Sequence, residues 1–216
     1  MAKTRVGILI SGRGSNMMAL VEAARNPDFP AEIATIISNR PDAAGLAWAE
    51  SRGIATLAID HKAYARRENF EDALHAALIS ANVELVCCAG FMRLMTASFV
   101  DRWYGRMLNI HPSILPSFKG LATHEQALAA GVKITGCTVH FVVPEMDSGP
   151  IVAQAAVPVA DDDTPDSLAA RILAAEHKLY PHALGLIASG QARLVDQKVI
   201  GGKPVNQTAQ LFSPSR

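Results

Sequence analysis

Asn109 and His111 close the stretch Leu108-Asn109-Ile110-His111-Pro112-Ser113-Ile114-Leu115-Pro116, where an apolar pattern gives way to an amide, an imidazole and a proline-stiffened turn. Alternate residues share one face of an extended strand. An amide can donate to a developing oxyanion, and an imidazole can hold or move a proton near neutral pH. Pro112 cannot continue a ladder and Pro116 fixes the loop beyond, so the strand ends as its polar pair emerges. In open parallel sheets, ligands gather at the carboxyl ends of strands. On this stretch alone two readings stand: a catalytic strand end, or a solvated one whose histidine caps a neighbouring loop. Asp147 bears on the choice. It lies in Pro144-Glu145-Met146-Asp147-Ser148-Gly149-Pro150, just past an expected strand that holds His140. If that strand neighbours the strand of Asn109, Asp147 approaches His111 and favours the protonated ring.

A second candidate is Ser11-Gly12-Arg13-Gly14-Ser15-Asn16, between a buried strand over residues 6–10 and a helix from Met17 to about Arg25. Backbone N–H groups of such a turn, together with a helix N-terminus, favour phosphate. The pattern is not a dinucleotide fingerprint, because Met17 stands at the third glycine position and Ser38-Asn39-Arg40 offers no acidic residue for a ribose. No lysine follows the loop, so it is not a Walker loop either. The readings left are a monophosphate site, with Ser15 and Asn16 as side-chain donors, and a tight turn without a ligand.

These residues must be carried by regular elements. Strands are expected over 33–37, 56–59, 83–88, 106–110, 138–143 and 151–157. Helices are expected over 42–52, 67–81, 96–103, 123–130 and 163–189. Thr123 and Gln126 form an expected capping box, and Pro181 is expected to kink or divide the last helix. A closing hairpin is expected over 193–200 and Lys203 to Val205, turning at Gly201-Gly202. Strands alternating with helices predict an α/β, Rossmann-like, mostly parallel twisted sheet flanked by helices, mixed toward the C-terminus. Residues 1–206 are expected to form a single domain and residues 207–216 a weakly ordered tail.

The composition narrows the partners. Half of the 216 residues are apolar and the formal net charge is zero, so nucleic acid finds no electrostatic footprint. Cys87, Cys88 and Cys137 read as buried structural thiols rather than a disulfide framework or a metal set. No run approaches the ~18 apolar residues of a membrane span. The start leads through a short apolar run into a glycine-rich loop, unlike a signal peptide, and a cytoplasmic location without a membrane partner is expected. Asp161-Asp162-Asp163 reads as a helix start rather than a metal cluster. Arg93 between Met92 and Met95 suggests a pocket wall. His140 reads as a core or face residue, His124 as structural, and His61, His75, His177 and His182 as solvated.

Together, Ser11-Gly12-Arg13-Gly14-Ser15-Asn16, Gly90-Phe91-Met92-Arg93, Leu108-Asn109-Ile110-His111-Pro112-Ser113 and Asp147-Ser148-Gly149-Pro150 resemble the folate-dependent glycinamide ribonucleotide formyltransferases, over about Val6 to Arg193. The resemblance implies transfer of a formyl group from 10-formyltetrahydrofolate, a co-substrate, to glycinamide ribonucleotide in purine biosynthesis. It implies no metal, small-molecule partners only, and a monomer or homodimer. It assigns catalysis to His111, Asn109 and Asp147 and the substrate phosphate to Gly14, Ser15 and Asn16. The folate falls to Arg67, Met92, Arg93, Leu94, Met95, Asn109, Val143, Pro144, Glu145, Met146 and Asp147. The ribonucleotide falls to Leu173, Ala174, Ala175 and Glu176, with Glu176 at the ribose hydroxyls. The alternative is a formyltetrahydrofolate hydrolase using water as acceptor. Hydrolases of that class carry an N-terminal regulatory domain, and a first strand at Val6 argues for the transferase. A tRNA formyltransferase calls for a further C-terminal domain and a basic face.

Overall fold

The computed structural model describes residues 2–202 and Ser213. One seven-stranded sheet contains β1 (Thr4–Ile10), β2 (Ala31–Ser38), β3 (Thr56–Ala58), β4 (Leu85–Cys88), β5 (Met107–His111), β6 (Ile134–Phe141) and β7 (Ile151–Pro158), in the order β3-β2-β1-β4-β5-β6-β7. The strands from β1 to β5 are parallel. β6 runs antiparallel to β5, and β7 antiparallel to β6. The helices are α1 (Ser15–Ala24), α2 (Ala44–Glu50), α3 (Arg67–Ser80), α4 (Ala97–Arg102), α5 (Thr123–Ala129) and α6 (Pro165–Ala188), with β8 (Ala192–Val195) and β9 (Lys198–Gly201) in a separate hairpin. This is the α/β, mostly parallel sheet expected from the sequence, mixed toward its C-terminal strands.

The two-residue repeat of a strand builds a core on each face. Val6, Ile8 and Ile10 of β1 pack with Met17 and Leu20 of α1 and with Leu179, Tyr180 and Leu184 of α6. Leu9, between them, packs on the other face with Leu74 of α3 and with Phe99 and Trp103 at α4. Strands covered on both faces read as continuous apolar runs, as β1 and β4 do.

Strand order reverses between β1 and β4, and the loops after them part there to leave a crevice. The register carries this level across the sheet: Leu9 pairs with Cys88, Cys88 with Asn109, and Asn109 with His140. Tyr180 clamps the same level from beneath. Its hydroxyl is fully buried and donates, shared between the carbonyls of Cys88 at 3.0 Å and Leu108 at 3.1 Å. Burial holds this phenol well above its ordinary pKa, so it keeps the proton it donates.

Several expectations are corrected. Thr123 does not cap α5. Ala122 holds the cap position with φ 56°, and no side chain bonds there. Gln126 Nε2 donates instead to the carbonyls of Leu121 at 2.7 Å and Lys119 at 3.3 Å, tying down the loop before the helix. Pro181 does not divide α6, because neighbouring turns and the core hold the helix continuous. The closing hairpin turns at Asp196-Gln197, both with positive φ, rather than at Gly201-Gly202. The expected strand Lys203 to Val205 lies outside the described residues, as does the expected tail apart from Ser213. Asp163 is a helix-start residue, as expected. It accepts from Ser167 and Arg171, and these bonds hold its carboxyl well below the usual range.

Tyr180→Phe leaves two buried carbonyls without their shared donor. Urea unfolding is expected to show a loss of about 1–2 kcal/mol with an unchanged m-value.

Candidate active site

β5 and β6 bring two imidazole rings and an amide together at the strand ends. Asn109 stands opposite His140 in the antiparallel register. His140 Nδ1 lies 2.9 Å from the carbonyl of Phe141, which can only accept, so Nδ1 carries the proton. Nε2 is then a lone pair, and Asn109 Nδ2 donates to it at 3.3 Å. Burial lowers the pKa of His140, which keeps the ring neutral and this assignment intact. The amide of Asn109 is thereby oriented, with its second Nδ2 hydrogen unspent on the ring.

His111, from the next outward position on β5, is buried, and its Nε2 donates to the carbonyl of Phe118 at 2.9 Å. Its Nδ1 faces Asp147 Oδ2 at 3.5 Å, while Asp147 Oδ1 lies 3.8 Å from His140 Nε2. Both nitrogens of His111 therefore face acceptors. Asp147 is held by Gly120, whose N–H donates to Oδ2 at 2.9 Å. Asp147 and Phe118 have φ of 51° and 55°, backbone conformations that are uncommon outside glycine and concentrate at functional sites. Lys119 Nζ donates to Ser148 Oγ at 2.6 Å and joins the two loops a second time.

The return from β6 to β7 depends on Gly149. A Cβ there would lie 1.7 Å from the carbonyl oxygen of Phe141, the same oxygen that fixes the His140 tautomer. The motif glycine is thus required by close approach of two backbones.

At the switch point, the loop after β1 lines a cleft of about 440 Å³ with Asn39, Arg40, His61, Gly90, Met92 and Arg93 among its other walls. Gly14 takes φ 70° and turns the chain into α1 without a side-chain cap, so the first helical N–H groups open onto this cleft. With Arg13, Arg40 and Arg93 on its walls the cleft suits an anion. Ser15 lines it as expected. Asn16 behaves differently from its expected role: its side chain turns inward and Nδ2 donates to Glu176 Oε2 at 2.7 Å, leaving its backbone N–H for the cleft. Burial raises the pKa of Glu176, and the Asn16 bond opposes the shift.

Other sequence-predicted residues divide. Met92, Leu94, Met146 and Leu121 are exposed apolar side chains. Met92 lines the anion cleft, while Leu121 adjoins Gly120, whose N–H holds Asp147, and Met146 immediately precedes Asp147. Gly120 would meet Met146 through a Cβ at 3.7 Å, which places Met146 over the Asp147 contact. Met95 packs into the core face shared by α3 and α4. Val143, Pro144 and Glu145 form the exit from β6, with Pro144 and Glu145 exposed. Arg67 opens α3, and Arg66 before it pairs with Glu68. Glu176 meets the loop after β1, but Ala174 and Ala175 line a separate shallow groove with Arg171 and Lys178, and Leu173 is exposed near it on α6. A larger cleft of about 660 Å³ lies beside Tyr104 and the β8–β9 hairpin and carries none of these groups. Among the described residues, no group of three or more His, Cys, Asp or Glu side chains is placed to hold a metal.

The sequence reading of His140 as a core residue is right about its burial and misses its contact with Asn109. The signal available was its place on the strand before the Asp147 turn. His61 is only partly solvated: its Nδ1 donates to the carbonyl of Asn39 at 2.8 Å, its ring meets the edge of Phe70, and it lines the anion cleft. His75 packs edge-on against Trp103, and Nε2 of His177 is enclosed.

The formyl transferase family model matches residues 4–184. The chain belongs to this family. Among its relatives, the trifunctional purine biosynthetic protein adenosine-3 of Homo sapiens is 51% identical over 192 residues, which are 89% of this chain and 19% of that protein. The chain thus spans about a fifth of the length of that relative. The phosphoribosylglycinamide formyltransferase of Escherichia coli (strain K12) is 40% identical over 87% of this chain and 88% of its own. The solved structure of glycinamide ribonucleotide transformylase 1 from Symbiobacterium toebii superposes with a TM-score of 0.89 at 45% identity, covering 92% of this chain and 94% of that one. For a formyl transferase the cluster of Asn109, His111 and Asp147 at the strand ends is the candidate site.

Gly149→Ala is expected to displace the Phe141 carbonyl and cost roughly 2 kcal/mol or more in chemical denaturation, with the His140 imidazole resonances moved in NMR spectra. The neutral His140 ring also sets a pH dependence. Its folded pKa is depressed below the ordinary 6.5, so the stability it contributes is full above that value and falls as pH drops below it. His140→Gln is expected to show a shallower loss of stability on the acid side, measured by denaturation at a series of pH values.

Proposed function

We propose that this formyl transferase moves a formyl group from 10-formyltetrahydrofolate to the amine of glycinamide ribonucleotide, in purine biosynthesis. The observation that carries the reading is the convergence of Asn109, His111 and Asp147 at the strand ends, in a sheet that also carries an anion cleft at its switch point. Relatives similar along nearly their whole length that are named for this activity support it. The ribonucleotide's phosphate takes the N–H groups of Gly14, Ser15 and Asn16, with Glu176 behind them toward the ribose. The folate lies along Met92–Met95 and the Val143–Asp147 turn, with Arg67 toward its acidic end and Asn109 at its formyl group.

In the reaction the amine nitrogen bonds to the formyl carbon and the carbonyl π electrons move to oxygen. Asn109 donates its second Nδ2 hydrogen to that oxyanion, and His111 stands beside it, paired with Asp147. The attacking nitrogen loses its proton to the Asp147 carboxylate, and the folate N10 gains one from the Asp147–His111 pair as its bond to carbon breaks. No covalent bond to the protein is needed. Small molecules are the partners, the location is cytoplasmic, and the chain acts as a monomer or homodimer.

The deciding assay supplies 10-formyltetrahydrofolate with and without glycinamide ribonucleotide. Tetrahydrofolate release that needs the ribonucleotide is expected; equal release without it would make the protein a hydrolase and overturn the reading. His111→Ala is expected to lower kcat by about 10²–10⁴, and Asn109→Ala by about 10²–10³, each with retained circular dichroism. Near-normal turnover in either variant contradicts the assigned role.

A further inference from the structure

The segment from Gly90 to Thr96 leaves β4 and carries Met92, Arg93, Leu94 and Met95 without helix or strand. Such a segment would be loose unless something holds it, yet Met92 and Arg93 line the anion cleft and Met92 and Leu94 present exposed apolar side chains. Its backbone makes no backbone–backbone hydrogen bond between Phe91 and Met95. Side chains hold it at two points. At one end the N–H of Met92 donates to Ser11 Oγ at 2.8 Å. Ser11 is buried and spends its own proton on Asn39 Oδ1 at 2.5 Å, so its oxygen is committed to accept. At the other end the N–H of Thr96 donates to Glu71 Oε1 at 2.8 Å, and the Thr96 hydroxyl donates to Glu71 Oε2.

Glu71 is the more informative pin. It is 3% exposed and makes no ion pair among the described residues. A buried carboxylate without a counter-charge is costly and persists where its bonds matter. Both of its oxygens are spent on one residue, Thr96, which closes the segment and caps α4 by accepting from the N–H of Phe99 at 3.2 Å. Glu71 also stands one turn after Arg67 on α3, so one helix reaches two parts of the folate side.

We propose that Glu71 and Ser11 are positioning residues for the formyl donor: they hold the segment Met92–Met95 at its two ends, and Ser11 ties that segment to the loop that takes the acceptor's phosphate. This rests on the formyl-transfer reading above. Neither residue touches the reacting atoms. Their loss therefore weakens donor binding more than it slows chemistry. Ser11 belongs by sequence to the phosphate loop, yet its side chain serves the donor segment.

Steady-state kinetics with both substrates tests this on the full chain. Glu71→Gln puts an amide N–H against one of the two Thr96 donors. It is expected to raise the KM for 10-formyltetrahydrofolate about tenfold, the effect of losing one hydrogen bond to a charged group. The ribonucleotide KM and kcat are expected to stay within about twofold. Ser11→Ala is expected to raise the donor KM as well, whereas an increase confined to the ribonucleotide KM would overturn the proposal. Thr96→Ala tests the pin from its other side should Glu71→Gln fail to fold, and a raised donor KM is again expected. Thr96→Ser keeps both donors and is expected to retain the wild-type donor KM. A merely structural role would lower Tm in Thr96→Ala and leave both KM values unchanged, and that result overturns the proposal. Calorimetric binding of tetrahydrofolate separates the two levels of inference. No binding to the wild type contradicts the functional reading itself, while equal binding to wild type and Glu71→Gln contradicts only the pins.

Discussion

The antiparallel register that sets Asn109 opposite His140 is the constraint on which the site depends. A one-residue slip would turn Asn109 and His111 to the other face together. In the observed register, the carbonyl of Phe141 fixes the proton on His140 Nδ1, the bare Nε2 fixes the Asn109 amide, and one amide hydrogen is left for chemistry. Each step is a hydrogen bond with only one sensible direction. Burial enforces the sequence, because a charged His140 would offer Asn109 no acceptor. The same Phe141 oxygen is crossed by the backbone at Gly149, so the turn that delivers Asp147 and the bond that orients Asn109 share one atom.

The change from parallel to antiparallel pairing at β5 is what makes this possible. Parallel β1, β4 and β5 send their following loops to one end of the sheet. β6 arrives from the opposite direction, so its inner end lies beside the start of β5 while Thr138 meets His111. Its return through Asp147 must then travel back over the sheet, and the left-handed conformation at Asp147 with the N–H of Gly120 holds the carboxylate there. Tyr180 reaches the same level from the helical layer.

Much of this was legible in the sequence because it rests on period and punctuation. The alternation of apolar runs with helical segments led to the correct class of sheet, and Asn109, His111 and Asp147 stood out by type and spacing. The misses have a common physical origin in contacts between residues distant in sequence. Thr123 and Gln126 had the spacing of a capping box, but Ala122 in a left-handed conformation took the cap position. Asn16 looked like a donor to a ligand, but a buried carboxylate on α6 claims its side chain. His140 looked like core because its neighbours are apolar, and only the pairing with β5 reveals its partner. Glu71 carried no sequence signal, since a carboxylate on an amphipathic helix normally faces solvent.

The groups proposed to react and those proposed to recognise substrate are mounted differently. Asn109 and His111, with the His140 that orients the amide, sit in paired strands, while the anion cleft and the exposed apolar side chains at Met92, Leu94, Leu121 and Met146 belong mostly to loops. Loops accept insertion and exchange far more readily than strands in register. Mutation can therefore alter which molecules this scaffold receives without disturbing how it handles a proton, so descent from one ancestor can yield enzymes of different appetite that share one reaction core.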